Sequence, residues 1–337
     1  MLPDAPGIAD RLIEFQAAAR QSLIASRKSA DLHAVNRATA ADTIYQIDTV
    51  VEPVLDEFCR QWAKKTPLVL IAEGIADESG REGMKIYPEG SSEDKATIRL
   101  IVDPIDGTRG LMYDKRSAWA LAGVAPNKGP STRLRDIEVS VMTELPTSKM
   151  GFADVLWAIA GQPSQARRVD LRNSSQEPLP LAPSRASDLD HGFAMLTHFF
   201  PATKPLAGLA MQYIVEGLGG RDPSNAVIFD DQYISTGGQF YELIVGHDRF
   251  NADLRPLFYE IQKIDGLCCH PYDCAGWLIA QQAGVILTDS RGNPLDGPLD
   301  VTSPLSWVGY ANATLRSRIE PLLAQFLKNP ALSAKRF

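Results

Sequence analysis

Between residues 8 and 24, Ile8, Leu12, Phe15, Ala19 and Leu23 recur every three or four positions, which predicts an amphipathic helix. A second helix is predicted from about Asp48-Thr49, with Val51, Val54, Phe58 and Trp62 as its stripe; Pro53 fits it only near the first turn. The period then changes. PLVLIAEG (67–74) and TIRLIVDP (97–104) are short apolar runs of the kind a buried strand shows, AWALAGVAP (118–126) and DIEVSVMTEL (136–145) alternate in part, and 151–161 continues the series. One helix pair followed by many strands predicts an α+β layer rather than regular βαβ alternation.

Residues 164–188 are polar and rich in proline, the best linker candidate in the chain. Beyond them, strands are predicted at 193–199, 226–230, 285–289 and 306–311. Helices are predicted at 204–220, 236–250, 272–284 and 312–328, with Gly219-Gly220 and Gly284 as stops. The expected organisation is two units: an N-terminal α+β domain over 1–180 and a C-terminal α/β domain over 181–337.

The chain has 337 residues, a net charge of −7 and a pI near 5.3. That balance argues against a nucleic-acid polymer as partner, because such binding rests on Lys and Arg neutralising phosphates. No apolar run reaches the ~18 residues of a membrane span, and the N-terminus lacks the basic and apolar regions of a secretory signal, so a cytoplasmic location is expected. Cys59, Cys268, Cys269 and Cys274 read as thiols. The cluster Cys268, Cys269, His270, Cys274 lacks the paired spacing of a zinc site and reads as packing near a loop.

The candidate chemistry lies in IVDPIDGTRG (101–110), where an apolar run ends on two aspartates three positions apart. Asp-Pro and Asp-Gly are common turn dipeptides, so a structural turn is one reading. The whole string supports another. Hard cations such as Mg²⁺ take carboxylates, waters and phosphate oxygens, and a strand end delivers such ligands rigidly. Asp103 and Asp106 can converge across Pro104, and the Ile105 carbonyl is available where the chain leaves the sheet. Gly107 permits close backbone approach, and a helical turn opening at Gly107-Thr108 points N–H groups at an anion.

DPIDGT resembles the signature of the inositol monophosphatase family, within the metal-dependent, lithium-sensitive phosphatase superfamily that includes fructose-1,6-bisphosphatase. LIAEG is similar to the family's upstream strand end, YDCAGWLIAQQAGV (272–285) to its late aspartate helix, TIYQIDTVVEPVL to its Thr-x-x-Asp segment, and STGG (235–238) to its substrate-side turn. The resemblance implies a layered α-β-α-β-α sandwich of the sugar-phosphatase type, with an antiparallel sheet in the first half and a second α/β layer in the other. It implies that Glu73, Asp103, the Ile105 carbonyl, Asp106 and Asp273 ligate two or three Mg²⁺. Asp48 and Thr108, with Glu73, would activate water, and Asp106, Gly107, Thr108, Thr236, Gly238 and Asp273 would contact substrate. The implied activity is hydrolysis of a phosphate monoester of a small metabolite (an inositol phosphate, a sugar phosphate or a nucleotide 3′-phosphate), in a homodimer. A non-catalytic, metabolite-binding relative of the same fold is the alternative.

Departures from the family pattern bear on substrate. Gly74 replaces a second glutamate. Residues 74–96 hold a charged, Gly-rich excursion, either a mobile loop over the site or a solvated hairpin. Tyr272 stands for the usual Trp. Arg109 follows the signature and either binds a second substrate anion or pairs with a surface acid. The 251–272 segment is long, and Glu260 or Asp265 would have to stand in for the glutamate that contacts an inositol hydroxyl. Arg255 and His270 in this segment read as structural.

No G-x-x-x-x-G-K-[ST] or G-x-G-x-x-G occurs, which sets a nucleotide-dependent kinase or dehydrogenase aside.

Overall fold

Helix α1 (Ala5–Ser26) buries Ile8, Leu12, Phe15, Ala19 and Leu23, the face marked by the periodicity. The computed structural model describes residues 2–27, 35–38, 43–76, 80, 82–219 and 228–329. After a short hairpin, β1 (Val35–Ala38) and β2 (Thr43–Tyr45), a 3-10 turn spans Asp48–Val50 and α2 (Glu52–Ala63) follows. Asp48 therefore precedes the helix rather than starting it, and Pro53 occupies the first turn, where no intrahelical N–H is lost.

The first large sheet comprises β3 (Leu68–Ala76), β4 (Glu82–Tyr87), β5 (Ile98–Asp106), β6 (Ala118–Pro126), β7 (Val139–Leu145), β8 (Phe152–Ile159), β9 (Gln165–Asp170) and β10 (Gln176–Pro178). A short helix α3 (Thr108–Met112) links β5 to β6. Its strand order is β10-β9-β8-β7-β6-β5-β3-β4. Every neighbouring pair is antiparallel except β3 and β5, which run parallel in the register Leu68↔Ile98 to Ala72↔Val102. The expected antiparallel sheet is thus mixed at the point that matters for the site.

The apolar runs of β3 and β5 are continuous because both faces are covered. Leu68, Leu70, Leu100 and Val102 point to α1 and α2, where they meet Leu12, Phe15, Cys59 and Trp62. Val69, Ile71 and Ile101 point the other way, into the core shared with the second half.

The second half contributes β11 (Gly192–Leu196), α4 (Lys204–Gly217), β12 (Ile228–Phe229), α5 (Thr236–Ile244), β13 (Asp248–Asp253), α6 (Arg255–Gln262), α7 (Trp277–Ala283), β14 (Ile286–Thr288), β15 (Trp307–Tyr310) and α8 (Ala313–Leu327). Its sheet runs β12-β11-β13-β15-β14. Helices α5 and α7 lie between the sheets: Phe240 meets Trp307 of the second sheet at 4.8 Å, and Gly276, just before α7, abuts Met142 of the first. On the far side α4 and α8 pack together, with Tyr213 and Phe326 rings 5.8 Å apart. The layers read α-β-α-β-α, the sandwich the resemblance implies.

Three local expectations are corrected. Residues 164–188 are not simply a linker, since they contain β9 and the short edge strand β10; these strands read as polar because they close one end of the sheet. The helix expected over 236–250 ends at Ile244, because Gly246 turns at φ 83 and β13 begins at Asp248. The helix expected over 272–284 is broken, with a 3-10 turn at Pro271–Cys274 ahead of α7. Within 74–96, β4 pairs antiparallel with β3, the hairpin alternative, while residues 77–79 and 81 fall outside the described residues. Part of the 226–230 strand falls outside them too.

Candidate active site

Residues i and i+3 of a regular strand face opposite sides. At the exit of β5 this is overcome by a bulge: Asp103 pairs with Leu121 and Asp106 with Trp119, three steps on one strand against two on its neighbour. Both aspartates are buried. The Ile105 N–H donates to Asp103 Oδ1 at 3.0 Å, fixing the turn around Pro104. Gly107 then adopts φ 99, and a Cβ there would stand 3.0 Å from both the Ile234 carbonyl oxygen and Ser235 Cβ. Only glycine fits that conformation and that approach.

Asp273 arrives from the other half on the 3-10 turn, where its Oδ2 accepts the His270 N–H at 2.6 Å. Oxygens of Asp103, Asp106 and Asp273 all lie within 4.8 Å of one another. Glu73 follows the last rung that β3 shares with β5, Ala72↔Val102, and so lies beside Asp103; Tyr272 donates its hydroxyl to Glu73 Oε2 at 3.1 Å.

Burial, then the charges of Asp106, Asp273 and Glu73, holds the Asp103 carboxyl well above the usual carboxylate range. Burial and then the Asp106 charge does the same to Asp273. Asp106 rises only to about 6, because burial is opposed by hydrogen bonds from Gly237, Ser235 and Thr236. Buried, mutually repelling carboxylates with an oxygen-only donor set are what a hard divalent cation satisfies, so the residues present fit such an ion.

Beside the carboxylates, Thr108 Oγ1 lies 3.1 Å from Asp48 Oδ1 and 2.8 Å from the Ile105 carbonyl oxygen, one proton shared between two acceptors. Asp48 Oδ2 accepts the Tyr45 N–H at 2.7 Å. The first bonds of α3 run from Gly110 and Leu111 back to Gly107 O, so the Gly107 and Thr108 amides precede its hydrogen-bonded ladder. Asp48, Glu73, Asp103, Asp106, Gly107, Thr108, Thr236 and Asp273 line one cleft, and Arg109 stands at its wall. The Arg109 guanidinium lies 5.7 Å over the Tyr45 ring and 5.9 Å over Phe200.

Gly238, Glu260 and Asp265 lie elsewhere. Gly238 is absent from the cleft wall; its N–H donates to Ser235 Oγ at 2.9 Å and the Tyr233 ring occupies the space its Cβ would need. Glu260 and Asp265 are exposed and outside the cleft lining. Arg255 lines the cleft but is buried and locked to Asp253 through Nε (2.9 Å) and Nη2 (2.5 Å). Cys269 and Cys274 sulfurs lie 3.6 Å apart, while Cys268 instead faces His270 Nε2 at 3.9 Å; all are free thiols and they form no common ligand set.

Sequence reasoning missed two contributors. Ser235 donates to Asp106 Oδ2 at 2.9 Å, and Gly237 N–H to the same oxygen at 2.5 Å. The signal for Ser235 was its place as the N-cap of α5. Phe199 and Phe200 also line the cleft, for which the sequence carries no local sign.

No family model matches the chain. A fructose-1,6-bisphosphatase/inositol-1-monophosphatase of Methanothermobacter thermautotrophicus is 24% identical over 294 residues, which are 81% of this chain and 91% of that protein. Among solved structures, the holo form of Leishmania major fructose-1,6-bisphosphatase superposes with a TM-score of 0.66 at 12% identity, covering 95% of this chain and 93% of that one. An inositol monophosphatase from Anabaena (Nostoc) sp. PCC 7120 gives 0.59 at 16% identity, covering 99% and 100%.

Proposed function

We propose that this chain, which shares the fold of the inositol monophosphatases and fructose-1,6-bisphosphatases, hydrolyses a phosphate monoester of a small metabolite with the help of bound Mg²⁺. The reading is carried by one observation: the bulged exit of β5 turns Asp103 and Asp106 to one side, where Asp273 meets them. Glu73, Asp103, the Ile105 carbonyl, Asp106 and Asp273 would hold two or three ions, drawn from both of the units 1–180 and 181–337. Such ions polarise a phosphoryl oxygen and lower the pKa of a bound water.

The remaining work falls to the chain itself. When Thr108 donates to Asp48, its oxygen lone pairs are turned to accept a proton from water in the cleft, and its own proton has Asp48 Oδ1 to go to. Glu73, held by the Tyr272 hydroxyl, would border the same water. The Gly107 and Thr108 amides offer donors to the phosphate oxygens, and Thr236 and Asp273 bound the space for the rest of the substrate. Inositol phosphates, sugar phosphates and nucleotide 3′-phosphates are the classes to test. A cytoplasmic homodimer is the working context.

The test is phosphate release from a panel of these compounds, with Mg²⁺ and with EDTA. Release from one class that EDTA abolishes, and that Asp103→Ala loses while remaining folded, is the expected result. Turnover that survives both EDTA and Asp103→Ala overturns the reading.

A further inference from the structure

A carboxylate offers about four lone-pair directions, two on each oxygen. At Asp106 three are already taken. Oδ2 accepts from Ser235 Oγ at 2.9 Å and from Gly237 N at 2.5 Å, and Oδ1 accepts from Thr236 N at 3.2 Å. The donors belong to a single turn at the start of α5, over 120 residues further along the chain, in the layer between the two sheets. The turn is built for this. A Cβ on Gly237 would lie 3.0 Å from Asp106 Oδ2 and 2.6 Å from Leu121 Cδ2, so a side chain there would push the carboxylate off its donors. Ser235 Oγ also accepts the Gly238 N–H at 2.9 Å, which leaves its proton directed at Asp106.

We propose that the Ser235–Gly237 turn is the positioning element of the metal centre: it saturates Oδ2 and presents Asp106 to a divalent cation through Oδ1 alone. Asp106 would then offer a cation one oxygen, and its aim depends on the first turn of α5 staying seated at the β5 exit, beside Leu121 of β6. Ser235 acts through Asp106 and is a positioning residue. Partners of this kind, which orient a ligand without touching the ion, typically change metal affinity ten- to a hundredfold when removed.

This rests on reading the carboxylates as metal ligands, and the test separates the two. Mn²⁺ serves as a paramagnetic probe for direct titration of the full chain, without substrate, in the wild type and in Ser235→Gly, Ser235→Ala and Ser235→Thr. Glycine caps a helix nearly as well as serine, alanine does not, and threonine both caps and donates. The proposal expects Ser235→Gly and Ser235→Ala to lose about tenfold or more in Mn²⁺ affinity alike, although only Ser235→Ala falls clearly in melting temperature, and Ser235→Thr to bind within a few-fold of wild type. Wild-type affinity in Ser235→Gly, or affinities that follow melting temperature, would overturn it and assign Ser235 to the helix cap alone. A wild type that binds no Mn²⁺ would overturn the ligand reading and this inference with it. Should Ser235→Ala not fold, the Gly and Thr pair still decides.

Discussion

Replacing Asp103 by asparagine removes one carboxylate from a group of three, two of them buried and Asp273 half-buried, while keeping an acceptor for the Ile105 N–H. In metal-free protein this substitution should stabilise the fold. Two unit charges at the 4.8 Å limit of the cluster repel by about 3 kcal/mol at an effective dielectric constant near 20. Because the folded-state pKa values are raised, native protein binds more protons than the unfolded chain above about pH 4. Stability therefore falls as pH rises through the folded pKa, near 6 for Asp106, and the deficit is complete above it. Buried Glu144, pushed up to about 7, adds a loss of the same sign that is common to both proteins. Urea unfolding in EDTA, followed by circular dichroism at pH 5 and pH 7.5, isolates the cluster by difference. Asp103→Asn should exceed wild type by about 3 kcal/mol at pH 7.5 and by much less at pH 5. In Mg²⁺ at a hundred times its dissociation constant the gap should nearly close, since wild type alone gains the full ~2.7 kcal/mol of linkage. A variant no more stable than wild type at pH 7.5 in EDTA would refute the argument from repulsion.

Further outcomes follow from single contacts. Thr108→Val should lower kcat by about 10²–10⁴ with little change in KM, as loss of a proton-transfer group does; steady-state kinetics on the substrate found by the panel checks it. Gly107→Ala, strained at φ 99 and crowded by Ile234 and Ser235, should cost about 1–3 kcal/mol, read as a fall in the urea midpoint. Tyr272→Phe should leave the melting temperature nearly unchanged but weaken Mn²⁺ binding by about tenfold, because Glu73 loses its hydroxyl donor.

The parts legible in the sequence were those where local pattern and final environment agree. The stripe of α1, the two-faced apolar runs of β3 and β5, and the aspartates at a strand exit each carry their explanation within a dozen residues. The bulge that turns Asp106 beside Asp103 is also local, since Pro104 interrupts the pairing. What stayed hidden depended on distance or on mixed signals. Phe240, Leu243 and Ile244 keep helical spacing and Phe250 and Ala252 keep strand spacing, so the window 236–250 reads as one helix unless Gly246 is weighed as a break. Strand β9 is polar because Arg168 reaches across to Asp154 at 2.8 Å instead of facing a core. The clamp of Ser235 on Asp106 spans 129 positions and leaves no trace in either segment alone.

The parallel pairing of β3 with β5 also decides which changes in chain length the site can absorb. Glu73 reaches Asp103 because both follow the same rung, Ala72↔Val102, not because of anything in the stretch that joins the strands. Residues inserted between Tyr87 and Ile98 would lengthen a surface connection and leave that rung intact. One residue inserted between Leu68 and Ala72 would move Glu73 out of step and turn its side chain to the opposite face of the sheet. Lineages of this chain are thus free to vary that connection, which enters β5 at the end away from the cleft, while β3 and β5 must keep count residue by residue.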